Sequence, residues 1–307
     1  MELSVGVMNV HLRSTFNLQK FSSVVQLQKL DITVVTETWL DLNTSSKIMG
    51  KTFGSQFDWF GRERADQKSS SGSGGIGILI RKGIGEVSLI KMYDQFEGMW
   101  IKCICGDITL FVCGVYIPPD GSPMLKDFAQ CLEILEGDCI KFRKDGKVIV
   151  MGDFNARIGR NESLIQGNGG IFTFPRSVSD EKGGGSTMAR TRGNQLVNSM
   201  NSVNMVIMNG IDSGGEYTFE NQNGNSMIDY IILSDNIIIP DNIMLEDKTL
   251  DKKSGVVKVT DSIPVNSLYI PKSCRVSTDL MSRIGDHFLV SCKLAISKPS
   301  TKVPFLD

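Results

Sequence analysis

Asn9, Glu37, Tyr116, Asp153, Asn155, Asp229, Asp286 and His287 fall at or beside the ends of stretches that read as strands. Each residue has an ordinary explanation. Asx residues at strand ends cap turns, and a glutamate after an apolar run is usually a solvated loop residue. As a set they suit one chemistry: four carboxylates, two amides, a tyrosine and one of the chain's 2 histidines match the needs of a metal-assisted phosphodiester hydrolase. A hard cation such as Mg²⁺ takes carboxylate oxygens and substrate phosphate, which makes Glu37 the first candidate ligand. The other groups must orient a water in line with the leaving oxygen and neutralise charge building on phosphorus, work that suits Asn9, Asn155 and Tyr116 as hydrogen-bonding groups. An imidazolium at His287, held by Asp229, can donate to a non-bridging phosphate oxygen.

The elements that must carry these groups alternate strand and helix. "LSVGVMNV" (3–10) reads as a strand, "NLQKFSSVVQLQKL" (17–30) as a helix with Leu18, Phe21, Val24 and Val25 on one face, and "DITVVTE" (31–37) as the next strand. Within 74–119, "GGIGILIRKG", "MWIKCICG" and "ITLFVCGVYIPP" read as consecutive strands, stopped at Pro118–Pro119. "LKDFAQCLEILEGDCIKF" spaces Phe128, Leu132 and Leu135 for a helix, "KVIVMGD" is a strand, and a helix over 194–203 precedes "MVIMNG". Over 216–233 the pattern predicts a hairpin turning at Asn223–Gly224, with Asp229 in its return strand. Asp286–His287 open "DHFLVSCKLAI", a last strand. Arg62 to Gly74, Arg160 to Gly185 and Asp247 to Arg275 read as surface loops of one domain.

The 307 residues, 41% of them apolar, suffice for one large domain with a real core. With 33 basic against 34 acidic residues, net charge −1, any polyanion must be held by a local patch. The 7 cysteines lack a C-x-x-C spacing and read as small buried thiols of a reducing, intracellular compartment. No secretory leader and no apolar run long enough to span a bilayer is evident in the sequence.

In order and with suitable spacing, "MNVHLR", "TETWL", "GVYIPP", "GDFNARIG", "YTFENQNGNSMIDYIILS" and "GDHFLV" resemble the motifs of the endonuclease/exonuclease/phosphatase superfamily, and within it the apurinic-type endonuclease domain of non-LTR (LINE-like) retrotransposons. The resemblance implies a four-layer α/β sandwich, two packed, mostly antiparallel sheets flanked by helices, over residues 1–296 with a tail at 297–307. It also implies an enzyme dependent on Mg²⁺, with Mn²⁺ as the substitute. This enzyme would nick double-stranded DNA to leave a 3′-hydroxyl for target-primed reverse transcription, next to a reverse-transcriptase domain in a longer polyprotein and in the nucleus. Carried over by position, Asn9, Glu37 and Asp286 line the metal site, Tyr116 contacts phosphate, Asp153 handles the attacking water beside Asn155, and Asp229 pairs with His287. Gly152 is expected to let the backbone turn there. Two departures stand out. Gly285 replaces a common serine before the Asp–His pair, and His11 stands where a carboxylate or amide is frequent; it reads equally as a solvent-facing strand-end residue or an auxiliary phosphate contact.

The same catalytic set serves enzymes acting on DNA, RNA and small phosphoesters, so selection must come from loops. The turn from Thr218 to Ser226, with Asn221, Gln222, Asn223 and Asn225, matches a hairpin that probes the minor groove, although Asn–Gly is also simply a favoured hairpin turn. For phosphate tracking the candidates are Arg157 first, then Arg62, Arg64, Lys68, Arg160, Arg190 and Arg192. The rival readings are a phosphodiesterase acting on RNA or a small phosphoester, and a domesticated, non-catalytic binding domain.

Overall fold

The computed structural model describes residues 1–62, 74–122, 127–167, 170–177, 187–211, 216–238, 275–276 and 283–296. The chain begins with β1 (Glu2–Asn9), α1 (Thr15–Leu27), β2 (Ile32–Thr36), α2 (Leu42–Phe53), β3 (Phe57–Arg62) and β4 (Ile76–Arg81). It continues through β5 (Glu86–Met92), β6 (Glu97–Cys105), β7 (Ile108–Tyr116), α3 (Phe128–Arg143) and β8 (Lys147–Asp153). Next come β9 (Ser163–Gly167), β10 (Gly170–Phe174), α4 (Thr187–Ser202), β11 (Met205–Ile207), β12 (Phe219–Asn221), β13 (Gly224–Ser226), β14 (Asp229–Ser234) and α5 (Asp235–Ile238). The last elements are β15 (Arg275–Val276), β16 (Arg283–Ile284), β17 (His287–Phe288) and β18 (Val290–Ala295).

Two six-stranded sheets form, in the orders β15-β18-β1-β2-β4-β3 and β11-β14-β8-β7-β6-β5. Strand alternation decides how they stack, because successive side chains point to opposite faces. Val5 and Val7 of β1, Val112 of β7, Ile149 and Met151 of β8 and Ile231 and Leu233 of β14 share the core between the sheets. Their alternates face outward: Met8 packs with Phe21, Val24 and Val25 of α1, and Val148, Val150 and Tyr230 pack with Leu132 and Leu135 of α3 and Leu196 of α4. The result is the expected four-layer sandwich, helix–sheet–sheet–helix. Side-chain caps fix the helix starts: Ser14, Asp41 and Asp127 accept from the backbone amides of Asn17 (3.0 Å), Thr44 (2.9 Å) and Ala129 (2.9 Å).

The structure departs from the sequence reading in several places. α2, β3 and β5 were not expected. Part of the supposed loop from Arg160 is the β9–β10 hairpin, whose Ile165, Phe172 and Phe174 enter the inter-sheet core. Arg62 ends β3, and its guanidinium donates to Tyr93 O; Arg64, Lys68, Cys274, most of 247–275 and the tail at 297–307 lie outside the described residues. The β12–β13 turn is Gln222–Asn223, because Asn221 pairs with Gly224 and accepts the Asn223 amide on its own Oδ1 at 2.8 Å, closing the turn one residue early. Asp229 is not in that hairpin; it opens β14 in the other sheet. The last expected strand is broken at Leu289 into β17 and β18, and Asp286 sits in the turn before them.

Gly152 does not turn the chain either. It lies inside β8 with an ordinary strand backbone, paired with Val115 on one side and Tyr230 on the other. A Cβ there would meet Val115 O at 1.9 Å, so glycine is required by the close approach of β7. Gly152→Ala is expected to destabilise the fold by about 2–3 kcal/mol through overpacking, read as a lowered urea midpoint with an unchanged slope.

Candidate active site

The two parallel pairs, β1 with β2 and β7 with β8, end at one edge of the sandwich. Parallel neighbours present their carboxyl ends together, which is why sites collect there in α/β sheets. β1 delivers Asn9, the exit from β2 delivers Glu37, β7 ends in Tyr116 and β8 in Asp153. Antiparallel β14 begins at the same edge, and its Asp229 lies directly across from Asp153; Asp153 is in turn opposite Tyr116.

Hydrogen bonds join these groups into one network. Asn9 Nδ2 donates to Asp153 Oδ2 at 3.0 Å and to Glu37 Oε1 at 3.3 Å. The Tyr116 hydroxyl donates to Glu37 Oε1 at 2.7 Å. On Oε2, Glu37 meets His11 Nε2 at 3.2 Å and accepts from Trp39 Nε1 at 3.3 Å, and the His11 and Trp39 rings stack at 4.0 Å. Asp153 Oδ1 accepts the Asn155 backbone amide at 2.9 Å, while Asn155 Nδ2 donates to Ile117 O at 3.1 Å. His287 Nδ1 lies 3.0 Å from Asp229 Oδ2. An open cleft of about 400 Å³ lies beside the network, lined by Asn9, His11, Glu37, Phe219, Asp286 and His287 among others.

The electrostatics separate the two central carboxylates. Burial works to raise the Glu37 pKa, but hydrogen bonds from His11, Tyr116 and Asn9 outweigh it and hold the group at about 2. Asp153 moves the other way, to about 8, through burial first and the facing Asp229 second, against the lowering effect of His287. Burial alone would lower the His287 pKa; the charge and hydrogen bond of Asp229, reinforced by Asp153 and Glu37, raise it to about 9. Burial pushes the Tyr116 phenol well above its usual range, so it remains a donor. The network therefore combines a fixed anion and an imidazolium on the cleft with a buried carboxylate, Asp153, able to exchange a proton near neutrality.

The donor set fits a hard divalent cation, since Glu37, Asp153, Asp229 and Asn9 all offer oxygens. Asp229 Oδ1 is buried without a hydrogen-bond partner among the described residues, a lone pair left for something else. Among the described residues the tightest cluster of candidate ligands is Asp153, Asp229 and His287, with donor atoms within 4.8 Å of one another. His287 is a weak member of it, because a protonated imidazole held by Asp229 has no lone pair to give.

The model of the Endonuclease/Exonuclease/phosphatase family matches residues 14–291. The chain belongs to that family. No curated protein matches it by sequence. Among solved structures, the endonuclease/exonuclease/phosphatase fold of this chain is similar to the endonuclease domain of TRAS1, a telomere-specific non-LTR retrotransposon (TM-score 0.55, 16% identity, covering 96% of this chain and 99% of that one). It is also similar to the AP endonuclease LMAP from Leishmania major (TM-score 0.64, 12% identity, 95% and 87% covered) and to the 3′-5′ exonuclease NExo from Neisseria meningitidis (TM-score 0.57, 14% identity, 95% and 99% covered). At these identities the likeness is one of fold.

Within this endonuclease/exonuclease/phosphatase site, Asn9, Glu37, Tyr116, Asp153, Asn155, Asp229 and His287 converge, and Asp286 stands exposed on the cleft rim. Tyr116 donates to Glu37. The expected nucleic-acid contacts divide. Gln222 and Asn223 are exposed at the hairpin tip, with Asn221, Asn225 and Arg157 half-buried. Thr218 and Ser226 are buried, and the Thr218 hydroxyl accepts the amides of Ile228 (3.0 Å) and Asp229 (3.1 Å), so both face inward and not a groove. Arg192, expected to track phosphate, is 3% exposed and bonded inside the fold. Sequence reasoning missed Trp39 and Asn209; Asn209 Nδ2 donates to Asp229 O at 3.0 Å. The signal for Asn209 was an amide closing the otherwise apolar "MVIMNG".

With a folded value near 9 above about 6.5 unfolded, the Asp229–His287 pair adds stability that is complete below pH 6.5 and is lost as pH rises through 9. By proton NMR of the metal-free protein, the His287 ring should titrate near pH 9, and in Asp229→Asn its midpoint should fall by at least about one unit.

Proposed function

We propose that this domain is a divalent-metal-dependent endodeoxyribonuclease that nicks double-stranded DNA and leaves a 3′-hydroxyl, the product that would prime reverse transcription. The observation that carries the reading is the placement of ionised Glu37 and cationic His287 on one cleft, with proton-exchanging Asp153 buried behind it and bonded to Asn9 of the cleft wall. Glu37 and Asn9 would hold the cation, Mg²⁺ or Mn²⁺, with Asp286 reaching in from the rim. The bound ion would neutralise charge on the phosphate and favour a coordinated water as nucleophile.

The chain's own groups do the rest. Asp153 takes the proton of the attacking water as the new O–P bond forms, and the P–O3′ bond breaks with the 3′ oxygen leaving and taking a proton from solvent. The Asn155 backbone amide, on Asp153 Oδ1, keeps the carboxylate aimed. His287 uses one nitrogen on Asp229 and offers the other to a non-bridging oxygen, where charge accumulates. Tyr116 and Asn9 keep Glu37 anionic and oriented. Gln222 and Asn223, with Asn221 and Asn225 behind them, would meet base edges, and Arg157 the backbone. A retrotransposon setting, of the kind the TRAS1 domain comes from, with a reverse-transcriptase neighbour and a nuclear address, belongs to the same proposal.

Supercoiled plasmid incubated with the protein and Mg²⁺ should relax to the nicked circle, and EDTA should stop it. Asp153→Asn and His287→Ala should each slow nicking by roughly 10²-fold or more. No nicking with any divalent ion would favour a binding-only domain, and preference for RNA or a small phosphoester would replace DNA as the substrate.

A further inference from the structure

Arg192 lies on α4, outside the cleft, and is 3% exposed. Its Nη2 donates to Pro118 O at 3.0 Å and to Phe154 O at 3.2 Å, its Nη1 lies 3.5 Å from Asp120 Oδ1, and the guanidinium sits 4.2 Å over the Phe128 ring. These two carbonyls belong to the loops leaving β7 and β8, the strands that carry Tyr116 and Asp153. The next residue, Gly193, brings α4 so close to the β8 loop that a Cβ would meet Arg157 O at 1.9 Å.

The Phe154 carbonyl belongs to the same peptide group as the Asn155 amide. In a trans peptide the two point in opposite directions. One end of this group accepts from Arg192, and the other donates to Asp153 Oδ1 at 2.9 Å. Asn155 has φ +47, a left-handed conformation that persists in a non-glycine residue only where its surroundings over-determine it.

We propose that Arg192 is a positioning residue: it pins the Phe154–Asn155 peptide so that its amide is aimed at the Asp153 carboxylate. A charge-assisted bond to the carbonyl also polarises the peptide and strengthens the amide as a donor. Lysine is a poor substitute, because an ammonium that took the place of Nη2 between the two carbonyls would have no second nitrogen for Asp120 and no planar group to lie over Phe128. The kinetic consequence rests on the hydrolase reading above, whereas the orientation of the peptide does not.

The test uses the whole chain with Arg192→Met, Arg192→Lys and, as a control for lost stability, Asp138→Asn, which removes the charge that Asp138 of α3 presents to Lys91 of β5 at 2.6 Å. By ¹⁵N–¹H NMR the Asn155 amide should shift and its hydrogen exchange should quicken about tenfold or more in the methionine variant and less in the lysine variant, with the Ile149 amide of β8 unchanged. On DNA, kcat should fall on the order of 10–100-fold with KM within about twofold, because Arg192 touches no substrate. An Asn155 amide unmoved in both variants, one moved equally by Asp138→Asn, or a rise in KM at constant kcat would overturn the proposal. Should the parent lack phosphodiesterase activity, the hydrolase reading falls and the amide measurement still decides the role of Arg192.

Discussion

Two buried carboxylates face each other across neighbouring strands, and most of the site follows from making that tolerable. Asp153 and Asp229 are directly opposed in the β8–β14 ladder and are 1% and 0% exposed. Two adjacent anions without water are costly unless paired and hydrogen-bonded. His287 supplies the opposite charge. Asn9 and the Asn155 amide bond to Asp153, while Thr218 and Asn209 bond to the backbone on either side of Asp229. Burial and the facing Asp229 raise the Asp153 pKa to about 8, against the lowering effect of His287, so its carboxyl exchanges a proton near neutral pH. Register is what enforces the opposition: a slip by one residue in either strand would turn its carboxylate toward the helical layer.

Holding acids at strand exits also strains the backbone. Glu37, Trp39 and Asn155 all have positive φ, between +47 and +54, a conformation costing about 1–3 kcal/mol each for a non-glycine residue. The surrounding bonds over-determine it. Thr38 and Trp39 donate to the carbonyls of Gly75 (3.1 Å) and Gly74 (2.8 Å), and the Gly75 amide donates to buried Glu97 at 2.6 Å. Glu97 stands opposite Tyr116 in the β6–β7 ladder, so the loop carrying Glu37 is tied to the second sheet as well as to its own. The cleft is a join between the two sheets, and its geometry depends on how they pack.

This physics explains what could be read from the sequence. Strands buried on both faces appear as continuous apolar runs, and polar residues at their ends stand out, so Asp153, Asp229, Glu37 and His287 were legible before any coordinates. α2 was not, because "LNTSSKIMGKTF" is mostly polar and its apolar positions are few. β5 is an edge strand exposed along most of its length, which removes the alternation a strand normally shows. β9 and β10 are short and lie among glycines, and only the fold reveals that Ile165 and Phe172 reach the core. Arg192 misled for another reason: sequence gives the charge of a side chain but not the carbonyls that await it. Gly152 was singled out correctly and explained wrongly, since the approach of Val115 is a long-range fact.

His287 does not belong to either large sheet. It sits on β17 in a small sheet ordered β13-β12-β17-β16, paired with Phe219 and stacked edge-on against its ring at 5.0 Å. Glu220 N donates to Asp286 O, and Phe288 N to Thr218 O, both at 2.8 Å. The exposed Gln222–Asn223 tip and the histidine therefore share one hydrogen-bonded unit. Between β16 and β17 the turn is only Gly285–Asp286, since Ile284 pairs with His287. Gly285 has φ +62 and Asp286 is not left-handed, the pattern of a type II′ turn, which calls for glycine at its first position. A serine at 285 would offer a hydroxyl but would have to adopt a conformation that an L-residue resists. The departure from the resembled pattern thus has a local cause: the tightness of the turn that sets His287 against Asp229 favours glycine over the extra donor.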